Sequence, residues 1–397
     1  MSLGRAVKSI RTKLRLRYYR ARLKEPLDPN LAIFAAYFYR GYTCNPRAIY
    51  EAAMRLTPGF RGVWAVEGVY ASSMPPGVPY VIRGTREYFD LLARASLFVN
   101  NVNFPTYVVK RPGTVHVMTH HGTPLKHMGL DLEGKPIPEG RQDFNALRAR
   151  CSRWDFSVSS NAHSTEIWKR VYPGSYESLD VGYPRNDVLH QATNDDYLRI
   201  RSTFQIPERK KVMLYAPTHR DADERFVPRL DLASLAESLG SDWIILSRKH
   251  HFYDREATDN RDANRIIDVS KYPRIEDLCI ASDALCTDYS SIMFDYAILN
   301  RPIVIFAPDW EDYKKSRGVY FDIISDAPGL VFRTQSELAS GLLDNAPWDV
   351  PAQNSLGDFR AKFCTFGRGD AADRVVLAAQ QKLQNISGLA EQVRLKQ

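Results

Sequence analysis

The sequence predicts an α/β protein of two similar halves, each built on a mostly parallel sheet, with a cleft between them. Three observations lead there. Short apolar runs alternate with helical patterns along most of the chain. A turn-rich segment, Gly182-Tyr183-Pro184-Arg185-Asn186-Asp187, interrupts the alternation near the middle and reads as a hinge. Residues 284–306 read strand, turn, helix, strand, the βαβ unit of a parallel sheet.

The chain opens on a basic stretch. Nine Lys and Arg residues, Arg5 to Lys24, precede the first acidic residue, Glu25, and Val7, Ile10, Leu14, Tyr18 and Leu23 interleave at roughly helical spacing. Residues 1–29 are therefore expected to form a basic amphipathic segment suited to an anionic membrane surface. Nucleic acid or another polyanion, and a solvated terminus, are the competing readings.

The first half is expected over 30–187. Residues 30–56 read as a helix, with Leu31, Ile33, Phe34, Tyr37 and Phe38 as its apolar positions. Strand candidates follow at Gly62 to Val66, Tyr80 to Ile82, Leu97 to Val99, Val115 to Met118 and Phe156 to Val158. Helical patterns at Glu87 to Ala95, Asp143 to Arg150 and Ser164 to Val171 fall between them.

The second half is expected over 188–397. A helix restarts at Asp195 to Thr203. Strand candidates are Val212 to Ala216, Trp243 to Leu246, Ile266 to Val269, Ala284 to Cys286, Ile303 to Phe306 and Leu330 to Phe332. The helices are Leu232 to Leu239, Ile275 to Ser282, Ile292 to Leu299, Ser336 to Leu343 and a terminal one from Ala371 to Leu383. Ligands of such sheets bind beyond the carboxyl ends of the strands, so the cleft is where chemistry is expected.

Composition narrows the function class. Of the 397 residues, 44% are hydrophobic and 25% charged, which fits a globular enzyme and excludes a disordered chain. No apolar run approaches the ~20 residues that span a bilayer, and no signal peptide follows Met1, so a cytoplasmic location is expected. Five cysteines without a C-x-x-C pair argue against a disulfide framework or a zinc site.

Several strand ends carry chemistry. Ser290 and Ser291 stand where a helix begins; unpaired N–H groups and the helix dipole there suit a phosphate, with one serine as a plain N-cap the alternative reading. The run Val115 to Met118 ends in Thr119-His120-His121-Gly122, and histidine is the natural base near neutral pH. Successive strand side chains alternate, so only one of the pair should face the cleft, and His121 joins the glycine turn. A cationic cluster, Ser247-Arg248-Lys249-His250-His251, ends another strand and would suit a leaving phosphate. Pro217-Thr218-His219-Arg220-Asp221-Ala222-Asp223 offers either a D-x-D pair for Mg2+ or an arginine for phosphate. Tyr313, Arg317 and Gly318 read as a loop able to close over a ligand, with a plain solvated loop as the alternative.

The blocks HGTPLKHMG, SSNAHS, GYPRND, LYAPTHR, SRKHH, CTDYSSIMFDYAILNRPIVIFAPD and YKKSRGVYFD occur in one order over residues 110–335. Together they resemble the CDP-glycerol glycerophosphotransferases of bacterial wall teichoic acid synthesis. The resemblance implies a GT-B-like arrangement of two Rossmann-like domains. It implies CDP-glycerol or CDP-ribitol as donor, and a lipid-linked saccharide or polyol-phosphate chain as acceptor at the inner membrane face, with no nucleic acid partner. It puts the catalytic base on His121 and a second functional histidine on His250, with His251 as the alternative. The donor phosphates would lie against Ser290 and Ser291, with Asp288, Arg220 and Arg317 as further donor-site residues. The sequence departs from the family at His120, where an aromatic residue is usual, at His219, where tryptophan is frequent, and at His251, where a proline commonly stands. A nucleotide-sugar glycosyltransferase and a non-enzymatic membrane-surface or polyanion-binding protein are the competing functions.

Overall fold

In the computed structural model, residues 3–135, 143–218, 229–248 and 265–394 are described. Arg220, His250, His251, His219 and the Asp221–Asp223 pair lie outside the described residues.

The first sheet has seven strands, all parallel: β1 (Asp28–Ala35), β2 (Arg61–Val66), β3 (Tyr80–Ile82), β4 (Ala95–Asn100), β5 (Val115–Met118), β6 (Phe156–Ser159) and β7 (Glu177–Asp180). Their order is β3-β2-β1-β4-β5-β6-β7. Among the described residues the second sheet has six, also parallel: β8 (Lys211–Tyr215), β9 (Trp243–Ser247), β10 (Ile266–Asp268), β11 (Ala284–Thr287), β12 (Ile303–Phe306) and β13 (Leu330–Phe332), in the order β10-β9-β8-β11-β12-β13. In each sheet the strand order reverses once, between β1 and β4 and between β8 and β11. The crevice outside the strand ends at such a reversal is the natural ligand site.

The expected helix over 30–56 is corrected. Residues 28–35 are the central strand β1, and a helix occupies only Cys44–Leu56. The reason is double burial. Ala32, Phe34 and Ala36 enter one hydrophobic cluster, while Leu31, Ile33 and Ala35 enter another on the opposite face. A strand buried on both faces reads as an unbroken apolar run, which period alone does not separate from a helix. Full burial of a side chain such as Phe34 or Ile33 contributes about 1.5–3 kcal/mol, so both faces favour the strand. The edge strand β7 has the sequence Glu-Ser-Leu-Asp and lacks the apolar signal by which the other strands are recognised.

Two further expectations change. Tyr313 and Arg317 lie on a helix, Trp310–Arg317, and not in a loop; Trp310 and Tyr313 are buried beneath it. The terminal helix, Ala371–Arg394, leaves the second half and packs on the first. Ala371, Ala372, Val375, Val376 and Ala379 join the β1–β2 cluster, and Gln380 donates to Thr57 Oγ1 at 2.7 Å. The chain therefore crosses between halves twice. The crossings touch: a Cβ on Gly182, whose φ is +94°, would stand 2.6 Å from Gly367 Cα, so only glycine fits there.

The N-terminal helix, Leu3–Arg22, is also more integrated than its composition suggests. Tyr19 is buried, and Leu16, Tyr18 and Leu23 pack beside it against the first half. Tyr18 Oη donates to Asp90 at 2.7 Å, and Arg22 pairs with the same carboxylate. Tyr18 and Leu23, two residues of the apolar face expected to meet a membrane, thus meet protein, while Lys13, Leu14, Arg15, Arg17 and Arg20 stay exposed. Among the described residues no helix is long and apolar enough to cross a membrane.

Candidate active site

The segment after β5 places the two neighbouring histidines in opposite surroundings. His120, at a φ of +49°, turns into the protein. Its ring stacks on Trp168 at 4.1 Å, and its Nε2 lies 2.8 Å from Ser157 Oγ. Burial pushes its pKa well below the usual histidine range, so it is a neutral core residue. His121 reaches solvent. Its Nδ1 lies 3.2 Å from the Asn101 carbonyl, which can only accept, so Nδ1 carries the hydrogen and Nε2 of the neutral ring is left with a free lone pair. The surrounding walls lower the pKa of His121 by desolvation; the Asn101 bond opposes this and the Arg185 charge adds to it. A base of this kind stays neutral below ordinary histidine pH.

The turn after His121 touches the second half. A Cβ on Gly122 would stand 3.0 Å from Ser291 Oγ and 3.8 Å from Arg185 Nη2, so the absence of a side chain permits this approach. Ser290 and Ser291 follow β11 and precede a five-residue helix, Ile292–Tyr296. Ser291 occupies the N-cap position without a side-chain cap bond, and Ser290 Oγ is 3.5 Å from the Ile292 N–H. Neither hydroxyl is engaged in a strong cap. Asp288 serves the backbone of the same loop: its Oδ1 accepts from Thr218 N–H at 2.8 Å and from Tyr289 N–H at 2.6 Å. Tyr289 locks the turn from the other side, donating to Asp309 at 2.9 Å and stacking on Tyr313 at 4.1 Å.

Arg317 ends its helix one residue before Gly318, whose carbonyl accepts the His127 N–H at 3.1 Å. Lys126 and Val319 form an antiparallel bridge, and Tyr320 N–H donates to Leu125 at 2.8 Å. The chain beyond the histidine turn is therefore laid onto the segment that carries Arg317.

Sequence reading missed the group that ties these parts together. Arg185 sits between the halves with its side chain 9% exposed. Its Nη1 donates to the His121 carbonyl at 2.9 Å and to Cys44 Sγ at 3.2 Å; its Nη2 donates to Asp295 Oδ2 at 2.5 Å. Asn186 Nδ2 donates to the other oxygen of Asp295 at 2.7 Å. Asn45 Nδ2 donates to the carbonyls of Thr119 and His120 at 3.2 and 2.9 Å, while its Oδ1 accepts the Arg185 N–H at 3.1 Å. Three successive carbonyls of the histidine turn are thus held by Asn45 and Arg185. Glu276 is near Arg185 at 3.9 Å, and burial raises its pKa, the Arg185 charge opposing. The available signal was Asp295, a carboxylate inside the apolar run Ile-Met-Phe-Asp-Tyr. A buried charge needs a partner, and the hinge arginine supplies it.

A cavity of about 240 Å³ borders Arg185, Cys44, Arg47, Arg274 and Glu276 on the hinge side. It does not include His121 or the two serines, so the site rests on the facing turns and not on this cavity. Among the described residues no cluster of His, Cys, Asp and Glu is arranged to hold a metal.

Comparison with known proteins places these features in context. A family model described as CDP-glycerol:poly(glycerophosphate) glycerophosphotransferase matches residues 17–379. The chain is 35% identical over 363 residues to the teichoic acid poly(glycerol phosphate) polymerase of Bacillus subtilis (strain 168), covering 88% of this chain and 48% of that protein. It is 34% identical over 363 residues to the teichoic acid glycerol-phosphate transferase of Staphylococcus aureus (strain NCTC 8325 / PS 47), covering 88% and 92%. The chain spans about half the length of the polymerases from B. subtilis and Staphylococcus epidermidis that it matches. The solved structure of the wall teichoic acid polymerase TagF superposes with a TM-score of 0.87 at 31% identity, covering 96% of each chain. A variant of that polymerase soaked with CDPG gives a TM-score of 0.85.

Proposed function

The chain belongs to the CDP-glycerol:poly(glycerophosphate) glycerophosphotransferase family, and on that premise we propose that it transfers glycerol phosphate, or a related alditol phosphate, from a CDP-alditol to an acceptor hydroxyl, releasing CMP. The acceptor is a lipid-linked saccharide or a growing polyol-phosphate chain, and the product a teichoic acid or related envelope polymer. The observation that carries this reading is the approach of the histidine turn to the serine turn at Gly122 and Ser291. A base and an anion-binding turn then face one another across the two halves.

In this reading 30–187 supplies the acceptor side and the base, and 188–397 holds the donor, while the terminal helix returns to brace the first half. His121 Nε2 takes the proton as the acceptor oxygen bonds to the phosphorus next to glycerol. The bond between that phosphorus and the CMP oxygen breaks. Ser290, Ser291 and the backbone N–H groups of their turn receive the diphosphate, with Arg317 close to the same wall. Asp288, whose Oδ1 is held by two backbone N–H groups, shapes the loop. Positioning and charge stabilisation do most of the work in phosphoryl transfer. Arg220 and the second histidine, His250 or His251, belong to this proposal through the family pattern alone. The exposed cations of the first helix suit the inner membrane face, where a lipid-linked acceptor would be met.

The test is mass spectrometry of products formed from a lipid-linked acceptor with CDP-glycerol, CDP-ribitol or a UDP-sugar. A mass gain of one or more alditol phosphates with CMP release is expected. Transfer from the UDP-sugar alone would replace this reading with glycosyl transfer.

A further inference from the structure

The cavity of about 240 Å³ on the hinge side lies between the two halves. One wall is the helix Cys44–Leu56 of the first half. The facing wall is the start of the helix Ile275–Ala281, which follows β10 in the second half. Arg185 lines the cavity and also borders the reacting turns. Its Nε stands 3.9 Å from Glu276 Oε1, beyond hydrogen-bond length. Its Nη2 lies beside Gly122, the residue that approaches Ser291. The cavity and the serine turn thus flank one guanidinium. In a CDP-alditol whose diphosphate rests on the serine turn, the alditol end must reach His121, which does not line the cavity. The opposite end, the base, is the part the cavity is placed to take.

The lining chemistry is an independent observation. The Glu276 side chain is 12% exposed and lines the cavity, and among the described residues no other side chain donates a hydrogen bond to it. The charges of Arg185, Arg274 and Arg47 all reach it. Each of these arginines already has a carboxylate of its own. Arg185 pairs with Asp295, Arg47 Nε with Glu51 at 2.8 Å, and Arg274 Nε with Asp277 at 3.4 Å. A further anion gains little among cations that are already matched. Arg47 and Arg274 both line the cavity and make these pairs through Nε, so their outer N–H groups remain for a ligand. The space therefore suits a neutral ligand that offers an N–H donor to Glu276 and acceptors to the guanidinium groups. Cytosine has that edge, with a 4-amino group beside N3 and O2. Pro273 and Ala48 add apolar lining for a flat ring, and guanidinium planes stack on bases.

We infer that this cavity is the base subsite of the donor and that Glu276 selects cytosine, accepting from its 4-amino group while Arg47 and Arg274 donate to its ring acceptors. Uracil turns O4 to the same carboxylate, an acceptor against an acceptor, and is rejected. Arg47 belongs to the first half and Glu276 to the second, so a base seated between them bridges the halves beside the Arg185–Asp295 pair. No bond is made or broken in this subsite; it holds the nucleotide that leaves as CMP. The inference rests on the transferase reading above and adds to it the residue that reads the base.

The test is calorimetry of CDP, UDP and the diphosphate of 2-pyrimidinone riboside, which lacks the 4-amino group, on wild type, Glu276→Gln and Arg47→Met. Wild type should bind CDP about 10- to 100-fold more tightly than either of the others, the scale of one base-reading pair. The amide of Glu276→Gln can turn its oxygen or its NH2 to the ligand, so CDP and UDP should then bind within about threefold of each other. Arg47→Met, on the opposite wall, should weaken CDP and free cytidine alike and leave inorganic pyrophosphate unchanged. Thermal unfolding checks that each variant is folded, and the pyrimidinone arm needs no substitution at all. Equal binding of CDP and the pyrimidinone diphosphate by wild type overturns the inference. So does a CDP-to-UDP ratio that Glu276→Gln leaves unmoved, or a loss shared equally by CDP, UDP and pyrophosphate, which is what a mere support of Arg185 would give. Wild type that binds none of these nucleotides and transfers nothing overturns the transferase reading instead.

Discussion

Arg185 and Asp295 meet across the two halves of the molecule, Nη2 to Oδ2 at 2.5 Å, with both side chains only 9% exposed. Through this pair the serine turn, which starts the helix carrying Asp295, is fixed to the histidine turn, whose carbonyl at His121 accepts from the other arm of the same guanidinium. The histidine turn and the serine turn are therefore held to each other by one planar fork.

That fork is testable by keeping the charge and losing the geometry. Arg185→Lys should lower kcat by roughly 10- to 100-fold, because a misplacement of about 1 Å costs on that order, while the KM for CDP-glycerol changes less. Asp295→Asn should destabilise the fold, as breaking a buried pair costs about 3–5 kcal/mol, and thermal unfolding reads this. Full kcat in a stable Arg185→Lys enzyme would remove the positioning role.

His121→Ala should reduce turnover by at least ~10²-fold with CDP binding little changed. The pH profile supplies the second check. Desolvation lowers the His121 pKa, so the neutral, proton-accepting ring persists to more acidic pH than a free histidine allows. The acid limb of kcat/KM should accordingly inflect below about 6.5. A limb above that value contradicts the assignment.

Ser290→Ala combined with Ser291→Ala should weaken CDP binding more than cytidine binding, since the hydroxyls are proposed to meet phosphate. Calorimetry showing equal losses for both ligands would reduce the serines to turn residues.

The first helix calls for charge reversal and not deletion, because Tyr19 belongs to the core. Replacing Lys13, Arg17 and Arg20 with Glu should abolish co-sedimentation with anionic vesicles while leaving thermal stability near wild type. The wild-type binding should weaken as salt shortens the screening length to about 10 Å at 0.1 M. Equal sedimentation of both proteins would move membrane contact elsewhere.

Asp187 provides a pH test of the returning helix. Its carboxylate accepts from the Ala371 and Ala372 N–H groups, yet burial raises its pKa to about 6. Between the ordinary carboxylate value and 6 the folded form holds a proton that the unfolded chain releases, so this group's contribution to stability falls as pH rises through that window. Asp187→Asn does not titrate. Its stability relative to wild type should increase from pH 4 to pH 7 in urea denaturation, and a constant difference would exclude the linkage.

Much of the second half was legible because its strands are short apolar runs separated by clear helical periods. Ile303–Phe306 and Leu330–Phe332 fall where the pattern puts them. The contrast between His120 and His121 was legible in outcome but not through strand alternation, since β5 ends at Met118 and a left-handed turn at His120, φ +49°, separates the two rings. Leu31–Ala36 was not, because burial on both faces erases the period on which local reading depends.

The sequence by itself determined the parallel α/β class, the two-part organisation and the motifs that carry the family, all of which follow from local periodicity or from fixed blocks of residues. Only the tertiary structure decided what those blocks touch. Arg185 and Asp295 are 110 residues apart, and their pairing appears only when both halves are folded. The return of Ala371–Arg394 to the first half and the packing of Tyr19 depend likewise on distant partners. Local propensity carries no information about which distant surface will bury a side chain or pair a charge, and in this protein that choice brings the histidine turn, the serine turn and their shared arginine together.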